Sequence, residues 1–431
     1  SLMCRDTDFP PMSLDIYATP GAKIKVTGTN PLIYTWRVDS PVKEQQEHNR
    51  FIEDSRDLWD EFQRLAIKER SMRSASEAER KALRTKSDSI SSIINQRELK
   101  LMKELPISNV WMEKLLRLSM SLKYNSRFTN KEEILALYDR LNEEQKASIE
   151  GQEIRVNLFP PKTVKEGDDM ADADLFDLDG KVHHLADFKG KYMLLDFWSS
   201  GCGPCIMALP EMKEIQEQYK DRLTIISLSS DTQTRWKAAS TQHEMTWQNL
   251  SDLKQTAGLY AVYDVNGIPN YVLISPKGKI VKMWSGYGKG SLKLKMRRYL
   301  DAPKREMSIT GDTNRKVVNY PSFESTNTDI LEVKQVELTD TATIVHFYAY
   351  YIPKYWIQVS VNAKLVDEQG TSYTLQKADG ITPGKHFFLP ESGEAEFSLT
   401  FKPLPLKTKS FNFTEGTAKN DWQINGIKLT K

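Results

Sequence analysis

The stretch "LLDFWSSGCGPCIMALPEM", Leu194 to Met212, decides how this chain is read. It sets Cys202 and Cys205 around Gly203 and Pro204, after an apolar run and before a helix-like pattern. Only three cysteines occur in 431 residues, so two of them in one turn call for an explanation. A Cys-x-x-Cys at a helix start puts the first sulfur at the amino-terminal end, where unpaired N–H groups and the helix dipole favour negative charge. Such sites pull a thiol below its ordinary pKa of about 8.5. Cys202 is then the expected nucleophile, and Cys205, one turn on, the thiol that resolves a mixed disulfide. Pro204 fits because the first helical turn needs no N–H from it.

Two structural alternatives compete. Half a zinc site needs two more ligands. The spare cysteine is Cys4, and His183-His184 lacks ligand spacing, so no metal is expected. Two unrelated core cysteines are the other alternative, but Gly-Pro between them is poor filler for a helix interior. The redox reading requires a βαβ context, and the flanking sequence supplies one. "ADLFDLDGKVHHLADFKGKYMLLDFW" predicts a hairpin turning at Asp179-Gly180 and a buried strand over 192–198. A helix over 204–220 carries Leu209, Met212, Ile215 and Tyr219 on one face. "RLTIISLSS" is a strand, Asp231 is expected to cap the next helix, and a short helix lies near 254–262. "YVLIS" and "KIVKMWS" form an antiparallel pair, and a last helix covers about 290–300. The order is β-α-β-α-β-β-α with an added amino-terminal hairpin.

Two further residues bear on the chemistry. Asp196 lies six positions before Cys202, inside the apolar strand. Buried there, its pKa would rise, and it could take the proton of Cys205; an outward-facing aspartate is the alternative that strand alternation leaves open. Ile268-Pro269 precedes an apolar strand, where a cis bond can persist and would offer the Ile268 backbone to an extended substrate. An ordinary trans proline is the bland alternative.

"LLDFWSSGCGPC" followed by "GIPNYVLISPKGKIV" resembles the TlpA/ResA branch of thioredoxin-fold thiol–disulfide oxidoreductases over about 164–300. The resemblance implies the added hairpin, and work outside the cytoplasm in association with the membrane. It implies Cys202 as attacking thiol, Cys205 as resolving thiol, Asp196 as the buried acid and Pro269 as the cis-proline. Residues 1–160 and 305–431, with the closing "FNFTEGTAKNDWQINGIKL", resemble the flanks of multidomain envelope relatives, for which it implies no chemistry. It also suggests that the first strands of an amino-terminal β domain lie outside this chain. Two departures stand out: Gly201 where the branch carries Trp, and Ala208 where cytochrome-maturation members carry Glu. Glycine loosens the loop, and loss of a carboxylate removes like-charge repulsion. A wider, less polar substrate groove bounded by Trp198, Gly201, Ile268 and Pro269 is therefore expected.

The remainder of the chain is organised around this core. Expected are a partial β domain over 1–40, a helical spacer over 41–160, the thioredoxin-like domain over 161–302 and an all-β sandwich-like domain over 303–431. The first holds a Pro20-Gly21 hairpin in "SLDIYATPGAKIKVTG". The second holds a helical stripe of Phe51, Leu58, Phe62 and Leu65, with capping boxes at Ser74–Glu77 and Thr129–Glu132 and a stop at Leu105-Pro106. A loop is expected over 301–320, then short, evenly spaced strands. The net charge of +2 gives no electrostatic footprint for nucleic acid. No apolar run reaches the roughly 18 residues of a membrane span. The polar opening "SLMCRDTDF" is expected to lie inside a longer precursor, which leaves a lipid anchor at Cys4 open.

The functional expectation is a cell-envelope thiol–disulfide oxidoreductase, reductase or isomerase rather than oxidase, needing no cofactor beyond the Cys202–Cys205 pair. Its expected partners are disulfide-containing envelope proteins and a membrane electron-donor reductase. A peroxiredoxin-like peroxidase competes, though that site calls for Thr at position 199, which is Ser. So does a non-catalytic binding protein with a vestigial redox domain.

Overall fold

The computed structural model describes residues 1–4, 6, 8–72, 76–301, 306–416, 418 and 420–430. The chain is multidomain, with a thioredoxin-like α/β domain between a helical region and a large all-β region.

At the amino-terminal end the pairing differs from expectation. Gly21 does turn the chain in the left-handed region, but Lys25–Thr27 pairs with Arg37–Asp39, and Leu14 makes only an isolated bridge to Leu2. The expected stripe is cut at Ser55, where the backbone leaves the helix between Lys43–Asp54 and Arg56–Ser71. Phe51 therefore joins a cluster around Trp111 and Leu115, while Leu58, Phe62 and Leu65 pack around Trp59. The long helix Glu77–Glu104 ends before Leu105-Pro106 as expected. Its capping box is Ser76 with Glu79; Ser74 lies outside the described residues. Asn130, not Thr129, occupies the cap of Lys131–Asp139.

The elements that position the two cysteines are β1 (Tyr192–Trp198), α1 (Gly203–Tyr219), β2 (Leu223–Ser229), α2 (Gln233–Gln242), β3 (Gln248–Leu250), α3 (Leu259–Val262), β4 (Asn270–Ile274), β5 (Ile280–Ser285) and α4 (Ser291–Leu300). Sheet order is β3-β2-β1-β4-β5, with β1, β2 and β3 parallel and β4 and β5 antiparallel. The short β3 was not expected. Residues buried on both faces of β1 explain why it is apolar apart from Asp196. Met193, Leu195 and Phe197 face a cluster with Leu175, Tyr260 and Tyr263, while Leu194 faces Ala208, Leu209 and Met212 of α1. The four apolar residues expected on one face of α1 are all buried. Ahead of β1, Leu175–Phe176 pairs with Val182–His183.

In the carboxy-terminal region, residues expected as a loop form strands Ser308–Gly311 and Arg315–Asn319. They begin a ten-stranded antiparallel sheet that runs on through Leu331–Thr339, Thr343–Tyr350, Glu394–Phe401, Ser372–Asp379, Lys364–Asp367 and Ser410–Thr414 to Gln423–Lys428 and Ser325–Thr326. Val318 near one edge and Ile427 near the other share one hydrophobic core, so the sheet must curl around it. A single wrapped sheet thus stands where two stacked sheets were expected.

Side chains tie the three parts together. Lys282 and Lys295 of the thioredoxin-like domain reach Asp329 at 2.7 and 3.2 Å. Arg297 of α4 pairs with Glu394 and lies over the Tyr350 ring. On the other side, Thr256 N–H donates to Glu153 of the helical region at 3.2 Å.

Candidate redox site

Cys202 and Cys205 form a disulfide at the head of α1. Cys202 is the amino-terminal cap, with extended backbone, and its sulfur accepts the Cys205 N–H at 3.2 Å. Pro204 falls in the first turn, where no intrahelical N–H is lost. Cys202 is half-buried and Cys205 is 3 % exposed. Both belong to one cluster with Trp198, Trp236, Ile206 and Ile268. The Ile268–Pro269 bond is cis. Three chain segments distant in sequence, the turn from β1 into α1, helix α2 and the turn into β4, thus meet at the two sulfurs.

Asp196 is 2 % exposed, which removes the outward-facing alternative. It shares the parity of Leu194, the β1 residue that packs on α1, so its carboxyl lies beneath the helix that carries Cys205. Its Oδ2 accepts the Ser227 hydroxyl at 2.7 Å, and its Oδ1 has no hydrogen-bond partner. Burial pushes the carboxyl up to about 7, against the opposing pull of the Ser227 hydrogen bond. A group of that acidity can hold or release a proton near neutral pH.

Several surrounding residues were not anticipated. Ser227 is the register partner of Asp196 on β2, and Trp247 Nε1 donates to the Ser227 hydroxyl at 2.8 Å. Tyr271 is the partner on β4. Asp231, expected as a helix cap, instead accepts the Ser200 N–H at 2.6 Å and so holds the loop leading to Cys202. Tyr260 donates its hydroxyl to the Trp198 carbonyl at 2.7 Å and fixes the end of β1. None of these carries a local sequence signal; they come from strands, loops and a helix spread over residues 227–271.

The groove expected around the disulfide differs in two places. Trp198 is 1 % exposed and lies beneath the disulfide, so as folded it offers a partner no surface. Ala208 is fully buried against the sheet and cannot widen a groove. Gly201, Gly203 and Pro204 are exposed, Ile268 is half-buried and Pro269 is buried. Met207 of α1, two residues after Cys205, is 68 % exposed. Among the described residues no group of three or more His, Cys, Asp or Glu could hold a metal, and no helix is long and apolar enough to cross a membrane.

The AhpC/TSA family matches residues 167–283. The thioredoxin-like protein YneN of Bacillus subtilis is 31 % identical over 121 residues, which cover 27 % of this chain and 69 % of that protein. The thiol-disulfide oxidoreductase ResA of Geobacillus thermodenitrificans is 32 % identical over 139 residues, 32 % of this chain and 79 % of the relative. Among solved structures, the thioredoxin domain of a thiol-disulfide oxidoreductase from Bacteroides vulgatus is 28 % identical, with a TM-score of 0.30; the match covers 32 % of this chain and all of that domain. With a paired Cys-x-x-Cys at the head of the first helix after a central strand, and this identity over most of a ResA chain, the protein belongs to the ResA-like thiol–disulfide oxidoreductases of thioredoxin fold.

Proposed function

We propose that the chain exchanges disulfides with protein substrates in the cell envelope, through the Cys-Gly-Pro-Cys at 202–205, as a reductase or isomerase rather than an oxidase. One observation carries this reading: a half-buried sulfur and a buried sulfur share the head of α1, with a carboxyl pushed up to about 7 behind the buried one. The difference in burial supports one order of attack. In the reduced form, the Cys202 thiolate attacks a substrate disulfide; one S–S bond forms, one breaks, and a substrate thiolate leaves. Cys205 then gives its proton to Asp196, directly or through a water, and its thiolate attacks the Cys202 sulfur. The second substrate thiolate leaves, and Cys202–Cys205 is again a disulfide. The substrate has gained two electrons, supplied by the cysteine pair alone.

Ile268 packs in the cluster of both cysteines, which supports its main chain as the place where an extended substrate pairs. Gly201 and Pro269 bound that approach. Regeneration of the dithiol calls for an outside electron donor, which we assign to a membrane reductase, with the chain held at the envelope, through a lipid in its precursor form. The division into residues 1–40, 41–160, 161–302 and 303–431 is part of the same proposal; residues 302–305 lie outside those described.

The AhpC/TSA match favours a second reading, a thiol peroxidase. Two assays decide. Reduced protein is expected to speed insulin reduction by dithiothreitol and to leave peroxide consumption at the background rate; the reverse supports the peroxidase. A reduction potential near about −270 mV marks a reductase, and one near about −120 mV an oxidase.

A further inference from the structure

Trp236 of α2 is fully buried in the cluster that holds Cys202 and Cys205, and its indole N–H donates to Asn249 Oδ1 at 2.9 Å. That anchor fixes the first turn of α2 against the disulfide. The preceding residue, Arg235, is exposed, and its Nη2 comes within 3.8 Å of where a Cβ on Gly201 would stand. Gly201 is exposed and immediately precedes Cys202. Arg235 has no carboxylate partner among the described residues. Asp231, four residues earlier, is half-buried, and its Oδ2 is engaged by the Ser200 N–H at 2.6 Å. A free guanidinium therefore covers a loop position without a side chain, at the mouth of the redox site.

We propose that Arg235 is a specificity-determining residue that makes the protein select disulfides flanked by carboxylates, as in acidic polypeptide segments. This inference rests on the exchange reading above. Neighbouring Cα atoms are about 3.8 Å apart, so the guanidinium lies within roughly one Debye length of the Cys202 sulfur. An extended substrate advances about 3.3 Å per residue. A carboxylate one to three residues from the attacked sulfur can thus meet the guanidinium, whose fork suits bidentate pairing. Gly201 leaves the space between them open.

The test uses the reduced Cys4→Ser protein, so that only Cys202 and Cys205 report. Exchange rates are measured with three disulfides: the dianion dithiobis(nitrobenzoate), neutral hydroxyethyl disulfide and dicationic cystamine. Arg235→Gln is expected to slow the dianion by about three- to tenfold at low salt and Arg235→Glu by more, in line with charges interacting across a protein surface. The neutral disulfide stays within about twofold, cystamine speeds up in Arg235→Glu, and Arg235→Lys keeps the preference for the dianion. Equal slowing of all three disulfides in Arg235→Gln, or no change in their ratios, overturns the assignment while leaving the exchange reading in place. A parent protein that reacts with none of the three overturns both.

Discussion

The Ser227 hydroxyl donates to Asp196 at 2.7 Å across the β1–β2 pair, and it is the one hydrogen bond that opposes burial at that carboxyl. The same hydroxyl oxygen accepts from Trp247 Nε1. Ser227→Ala is therefore expected to do two separable things. It raises Asp196 further, so the resolving step, followed as decay of the mixed disulfide, shifts its pH dependence to higher pH. It also leaves the buried indole N–H of Trp247 unpaired, at a cost of about 1–3 kcal/mol in denaturant titration. A resolving step with an unmoved pH profile would detach Ser227 from the chemistry.

Asp196 also sets a pH dependence of stability. Its folded pKa of about 7 lies above the ordinary carboxyl value near 4. Between these the folded state keeps a proton that the unfolded chain has lost, so stability falls as pH rises through the window. Asp196→Asn removes that fall. The variant is expected to match the parent near pH 4 and to exceed it by up to about 4 kcal/mol near pH 8. Its mixed disulfides are expected to resolve more slowly. Parallel stability curves for parent and variant would contradict this account of the buried acid.

Ala208 is packed between α1 and the sheet, beside Leu209 and Met212. Restoring the Glu of cytochrome-maturation relatives would bury a carboxyl among apolar side chains. Ala208→Glu is expected to lose about 2–4 kcal/mol of stability, most strongly above neutral pH, where the added acid ionises. Thermal unfolding at two pH values measures it. A variant as stable as the parent would mean that the helix face can open at this point.

Cys4 is half-buried and unpaired, packed beside Leu14, Ile33 and Val38 in the amino-terminal cluster. Neither redox cysteine belongs to that cluster. Cys4→Ser is expected to leave insulin reduction within about twofold of the parent, since surface-cluster substitutions rarely move more than a fraction of a kcal/mol. A large loss would place Cys4 in the electron path.

Much of the redox site was legible because it is local. Cys202, Gly203, Pro204 and Cys205 are neighbours, and a helix start imposes its own chemistry on them. Asp196 was legible up to one ambiguity, the face of β1, which the packing of Leu194 on α1 resolves. Ser227, Trp247, Trp236 and Arg235 were not legible, because register between strands and the docking of α2 bring them in, and neither leaves a spacing in the sequence. Trp198 was expected to bound the groove, while strand parity sends its side chain inward, beneath α1. Outside the site, Pro20-Gly21 does turn, but a turn does not dictate pairing: Lys25–Thr27 finds Arg37–Asp39 instead. Polar residues in "SITGDTNRKVVN" hid an edge strand and its neighbour, which join the wrapped sheet through Leu331–Thr339.

In the proposed exchange Cys202 attacks and Cys205 resolves. The most direct measurement is trapping: reduced Cys205→Ser and Cys202→Ser proteins are mixed with a disulfide-bearing protein, quenched with acid and examined by mass spectrometry. Cys205→Ser is expected to accumulate a substrate adduct on Cys202, and Cys202→Ser to accumulate none. An adduct on Cys205 in the Cys202→Ser protein, formed as fast as the first, would contradict that order.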